Sequence, residues 1–183
     1  MSSKDKISEY YTEHVDSMYS YGCKFTADRE LVKDCIQDIF VKLSEKEDIS
    51  AIKNMKFYLL RSLKNRLIDE LSKAKSEGID EDDSFAYIHD ISDPNSLMEF
   101  DETQRLRKQY IEKIFENLTG RQKEAIYLYY IEEMSYNEIC QLLKMNYQSV
   151  RNTIHRALVR LREKLGDRLP AFLAFFLIFF EKK

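Results

Sequence analysis

The sequence predicts an all-α protein built as two small helical domains joined by an acidic linker. Three observations carry that expectation. The 183 residues include only 4 Gly, 2 Pro and no Trp, so the turns and aromatic strands of a sheet protein are poorly supplied, while helix formers such as Leu, Lys, Glu and Arg abound. Apolar residues recur at three- and four-residue spacing in both halves. Between the halves lies an acidic stretch with no such period.

The 44% hydrophobic content is enough for a core, and the 33% charged content favours solubility. "MSSKDKISEYYTEHV" has no apolar centre of the kind a secretion signal needs. Cys23, Cys35 and Cys140 are odd in number, far apart, and out of metal-ligand spacing with the three His residues, which points to reduced thiols in the cytoplasm.

The formal net charge of −3 conceals strong blocks. Residues 1–52 carry 7 basic and 11 acidic residues; residues 53–76 carry 7 and 2. Residues 77–102 carry 10 acidic residues and no Lys or Arg, whereas residues 103–183 carry 15 basic and 9 acidic. Two basic blocks separated by an acidic one imply localised anion-binding faces with a solvated connector between them. The expected organisation is therefore a domain over 1–76, a linker over 77–108, a second domain over 109–168 and an apolar tail over 169–183.

Taken in order, the first clear helix runs from about Arg29 to Leu43. Leu31, Cys35, Ile39 and Leu43 or Phe40 form its apolar stripe. Asp34, Gln37, Asp38 and Val41 share another face, a polar and acidic patch that suits either solvent or an Arg-rich partner helix. The next helix has Phe57, Leu60, Leu63, Leu67 and Leu71 at core spacing and leaves Arg61, Lys64, Asn65 and Lys73 outward. Positive and amide groups of this kind are what an extruded DNA strand requires. Asp69 is expected to pair locally with Arg66 or Lys73.

In the second half, Thr119 with Gln122 and Ser135 with Glu138 fit the capping box, in which side chains satisfy unpaired N–H groups at a helix start. Helices should begin near 119 and 135. Lys144, Met145 and Asn146 form a short turn, with Asn146 capping a helix that runs to about Leu165. Val150, Ile154, Ala157, Leu158, Leu161 and Leu165 must face the core. Gln148, Asn152, His155, Arg156 and Val159 point away, with Arg151 and Arg162 on the flank. Two short helices and a tight turn make a helix-turn-helix, and Arg, Asn and Gln are the side chains that make bidentate contacts to guanine and adenine edges.

These stretches resemble a known family. "LTGRQKEAIYLYYIEEMSYNEICQLLKMNYQSVRNTIHRALVRLREKL", residues 118–165, is similar without a gap to region 4 of bacterial sigma factors of the extracytoplasmic-function type. "ELVKDCIQDIFVKL", 30–43, and "FYLLRSLKNRLIDEL", 57–71, resemble the polymerase-gripping segment and the promoter-melting helix of region 2. The resemblance implies a partner in core RNA polymerase, held through Asp34, Gln37, Asp38 and Val41. It implies minus-35 contacts from Gln148, Arg151, Asn152, His155 and Arg156, and minus-10 contacts from Arg61, Lys64, Asn65 and Lys73. It places a pocket for a flipped minus-10 base in the loop 44–55, and admits an anti-sigma factor as a further partner. Three positions depart from the family pattern: Lys144 stands for the usual turn Gly, Cys140 for a small Ala, and Ser72 for a basic residue.

No Gly-rich phosphate loop, metal spacing or nucleophile–base set is present, so neither cofactor, metal nor small-molecule substrate is expected. The expected function is promoter-specific initiation with the polymerase supplying the chemistry. The competing readings are a stand-alone helix-turn-helix regulator that shifts operator DNA by itself, and a decoy that occupies polymerase without starting transcripts. "PAFLAFFLIFF", 170–180, has a ten-residue apolar run from Ala171, about 15 Å as a helix and half of a bilayer core. Its Phe stripe is expected to fold back on the protein's own helices, or else to dock a partner or membrane surface.

Overall fold

The computed structural model describes residues 3–46, 48–74 and 102–174, and among them there are helices and no strand. The all-α expectation holds. The chain divides into two compact units, 1–87 and 88–183.

The first unit is a three-helix bundle of α1 (Ser3–Gly22), α2 (Arg29–Ser44) and α3 (Met55–Ala74), each packed on both others. Helix α1 carries little signal in the sequence, because "SEYYTEHVDSMYSYG" has Tyr and Ser where an aliphatic stripe would mark a buried face. Met18 and Tyr21 nevertheless anchor it, both fully buried. It ends at Gly22, where a Cβ would meet Val32 Cγ1 at 2.6 Å. A β-branched neighbour cannot swing aside cheaply, so α1 and α2 can approach this closely only at a residue without a side chain.

Asp28 caps α2, its Oδ1 accepting from the Leu31 N–H at 3.0 Å. Asn54 does the same for α3, accepting from the Phe57 N–H at 2.9 Å. The buried face of α2 comprises Val32, Cys35, Ile36, Ile39, Phe40 and Leu43. Leu31 is a correction: it is half-buried, and Val32 and Ile36 take the core positions instead. On α3, Leu60, Leu63 and Leu67 are buried as expected, joined by Met55 and Leu59, while Phe57 and Leu71 are half-buried. Burying each such leucine is worth about 1.5–3 kcal/mol.

The second unit contains α4 (Glu102–Phe115), α5 (Gly120–Tyr130), α6 (Tyr136–Leu143) and α7 (Tyr147–Leu165), followed by a 3-10 turn at Gly166–Arg168 and a helical stretch over 169–174. Helix α4 starts inside the stretch expected as linker. Both capping boxes are formed, at Thr119 with Gln122 and at Ser135 with Glu138. Helix α7 is the hub, touching α4, α5 and α6 through Val150, Ile154, Ala157, Leu161 and Leu165; Leu158 is half-buried. Two of its basic side chains tie it down. Arg160 Nη1 donates to Asn117 O at 3.1 Å and to Gln122 Oε1 at 2.8 Å, and Lys164 Nζ donates to Lys113 O at 3.0 Å.

Leu169 and Phe172 are buried, and the Phe172 ring lies against Tyr110 and Phe115 at centroid distances of 6.3 and 6.0 Å. The start of the tail thus folds back on α4, within its own unit. Phe175, Phe176, Phe179 and Phe180 lie outside the described residues. No described helix is long and apolar enough to cross a membrane.

Candidate nucleic-acid and polymerase interfaces

On α7, the residues opposite the buried stripe emerge together. Gln148, Arg151, Asn152, His155 and Arg156 are all exposed, so the structure brings this predicted set onto one face. Asn146 starts the helix, accepting from the Ser149 N–H at 2.8 Å. Gln148 Nε2 donates to Asn152 Oδ1 at 3.0 Å, one turn apart. That bond orients both amides yet uses only one donor of the first and one acceptor of the second, so each keeps its complementary group for another partner.

The turn before α7 is built at a cost. Lys144 sits in the left-handed region at φ 53°, ψ 41°, as the C-cap of α6, and its N–H bonds Cys140 O. A side chain there is strained where Gly would not be. Lys144→Gly is therefore expected to raise stability by about 0.5–1 kcal/mol, the relief of strain outweighing the added chain entropy. A urea midpoint that falls in this variant would contradict the account.

A set of tyrosines gathers beside this turn. Tyr129 lies 4.9 Å from Tyr130 and 5.2 Å from Tyr136 between ring centroids, and Tyr136 lies 5.5 Å from Tyr147. Burial pushes the Tyr130 and Tyr136 phenols above their ordinary range, and their tyrosine neighbours add to it, while Arg151 pulls Tyr136 back. "YLYYIEEMSY" signals aromatic content, but only the meeting of three helix ends makes a ladder of it.

In the first unit, Asp34, Gln37 and Val41 are exposed on α2, Val41 at 49%. Asp38 shares their face but is engaged, its Oδ2 accepting from Arg66 Nη2 of α3 at 2.9 Å. Arg66 Nη1 also pairs with Glu70 at 2.9 Å, and Glu70 with Lys73 at 3.1 Å. The partners of Arg66 and Lys73 are thus Asp38 and Glu70, which corrects the expected pairing with Asp69. Burial works against the Arg66 charge, but Glu70 and Asp38 outweigh it and hold the guanidinium pKa above its ordinary value.

On α3, Arg61, Asn65 and Lys73 are exposed, with the Arg61 guanidinium 5.9 Å from the Phe57 ring. Lys64 departs from the outward set. It is 6% exposed, and its ammonium lies 5.9 Å from the Phe25 ring. The reason is that α3 packs against two helices, so its buried face is wider than a single stripe. The preceding loop is held by Ile49, which is buried, and by Asp48, which accepts from Ser50 N at 2.8 Å and Ser50 Oγ at 2.6 Å. Those bonds lower the Asp48 pKa. Lys46 Nζ stands 4.5 Å over the Tyr58 ring and ties the loop to α3.

Residues 10–77 match the family described as Sigma-70 region 2, and residues 108–161 match Sigma-70, region 4. The ECF RNA polymerase sigma factor SigM of Bacillus subtilis (strain 168) is 23% identical over 158 residues, covering 85% of this chain and 93% of that protein. The chain belongs to the extracytoplasmic-function sigma factors of the sigma-70 family. As a sigma factor it directs promoter-specific initiation by core RNA polymerase, and its region 4 is a DNA-binding helix-turn-helix. The two matches fall one in each compact unit, in the family's order. A regulator acting alone has no use for region 2, so the stand-alone reading is not favoured. Sigma factors are regulatory proteins.

Proposed function

We propose that this sigma factor reads minus-35 duplex with Gln148, Arg151, Asn152, His155 and Arg156, inserting α7 into the major groove. The exposed five-residue face of α7, backed by a continuous buried stripe, carries this reading. Arg61, Asn65 and Lys73 on α3 hold the melted minus-10 strand, through charge on phosphate and an amide on base edges. Lys64 is left out because its ammonium is committed to the interior. Asp34, Gln37, Asp38 and Val41 on α2 bind a basic surface of the polymerase. The first domain is 1–76 and the connector begins at 77, while the second domain takes in α4 from Glu102 and reaches Phe172, beyond the expected limits of 109 and 168. The sigma factor works in the cytoplasm, and an anti-sigma factor is a further partner suggested by membership of this branch alone.

The two DNA roles separate in one experiment. Holoenzyme carrying Arg61→Ala, Asn65→Ala and Lys73→Ala should still occupy duplex promoter, but with strand opening, read as permanganate-reactive thymines, down about tenfold or more. Asn152→Ala should instead weaken occupancy itself. Full opening by the α3 triple variant would refute the assignment of that face.

A further inference from the structure

We propose that Tyr147 is a specificity-determining residue that packs its ring against a thymine methyl in the minus-35 duplex. The inference rests on the assignment of the α7 face to that duplex. Tyr147 is the first residue of α7 and is 53% exposed, an unusual place for a large aromatic side chain. It stands four residues before Arg151, on the same side of the helix. The N-terminal residues of the second helix of a helix-turn-helix are those that reach base edges. Among the groups on the major-groove floor, the thymine C5 methyl is the apolar one, and an aromatic ring is an apolar surface suited to it.

The ring is also held in place before any DNA arrives. Tyr147 rests 5.5 Å from Tyr136, which rests 5.2 Å from Tyr129, which in turn meets Tyr130 at 4.9 Å. The ladder runs from the end of α5 through the first residue of α6 to the first residue of α7. The tilted contact with the Tyr136 ring restricts the side-chain rotation that a free exposed tyrosine would lose on binding, which favours a positioned contact over a solvated one. The set of polar contacts on α7 thereby gains an apolar member, and promoter choice gains a preference for thymine at one position.

The test uses holoenzyme assembled on core RNA polymerase and a promoter that the wild-type protein selects from genomic fragments. Each minus-35 thymine is replaced in turn by deoxyuridine, which lacks only the methyl group. At one position the wild type and Tyr147→Phe should both lose about fourfold in promoter occupancy, the worth of one buried methyl, while Tyr147→Ala should be indifferent. Two results would overturn the proposal: no position at which uridine separates wild type from Tyr147→Ala, or a Tyr147→Phe loss as large as that of Tyr147→Ala on every sequence, which marks a phosphate contact by the hydroxyl. Arg151→Ala serves as the reference. If it loses minus-35 dependence while Tyr147→Ala keeps the wild-type response to uridine at every position, Tyr147 alone is rejected; if Arg151→Ala keeps full minus-35 dependence too, the assignment of the α7 face fails as well.

Discussion

Arg151→Ala and Arg156→Ala should each cost about 1–3 kcal/mol of promoter binding, roughly 5- to 150-fold, wherever the arginine reads a base. Both side chains are exposed on α7, on the face that carries Gln148, Asn152 and His155. A guanidinium makes two hydrogen bonds to a guanine edge and loses both on truncation, whereas a phosphate contact loses a smaller and sequence-independent amount. The double variant should therefore lose selectivity between intact and scrambled minus-35 elements, measured by run-off transcription. Substitution at either position should leave the fold alone, because the stripe that holds α7 in place is Val150, Ile154, Ala157, Leu161 and Leu165. Unchanged minus-35-dependent transcription from the double variant would sink the assignment. Arg160 is a different matter, since it bonds Asn117 and the capping residue Gln122, and its loss should register in stability.

Asp38→Arg should weaken association with core enzyme by about 2–5 kcal/mol, by setting like charge against a basic partner surface. The structure adds a second consequence. Asp38 also pairs with Arg66, so the reversal places two guanidinium groups together within the bundle and should lower its melting temperature. The two effects part company at Asp34, which is exposed and shares the α2 face. Asp34→Arg should reduce holoenzyme assembly with little change in melting, and neither variant should alter the minus-35 preference of whatever holoenzyme forms. Normal assembly of both variants in a pull-down would argue against this face as the polymerase contact.

How much of this was legible in the sequence depended on the range of the interaction concerned. The capping boxes at Thr119 and Ser135 and the Asn146 cap could be read directly, because each is a bond between residues three apart whose geometry the helix itself supplies. The exposed set on α7 was legible for a similar reason. Its buried stripe repeats along one helix, and the opposite face follows from 100° per residue. In the first unit the same reasoning succeeded with Asp34, Gln37 and Val41 and failed with Lys64 and Leu31.

Lys64 fails because its helix has two neighbours, whereas Leu31 fails because the α2 stripe is turned toward Val32 and Ile36. A helix packed against one neighbour buries a stripe, but α2 and α3 each touch two, and their buried faces widen to take in Val32, Ile36 and Leu59. Periodicity gives the direction of a face, while its width is set by the number of neighbours. Arg66 shows the same limit for charge. Its i, i+4 partner Glu70 is local, but Asp38 lies 28 residues away in the chain and is brought within 2.9 Å only by the packing of α3 on α2.

The sequence by itself determined the all-α class, the starts of α5, α6 and α7 and the outward face of α7, since local hydrogen bonds and helical periodicity specify these within one or a few turns, and its motifs carried the family. Tertiary structure alone decided that Gly22 admits Val32 at close range, that Lys64 turns inward toward Phe25, and that tyrosines from three helices meet in one chain of ring contacts. Each of those depends on distances between segments remote in the chain, which are settled by how the helices fill space against one another.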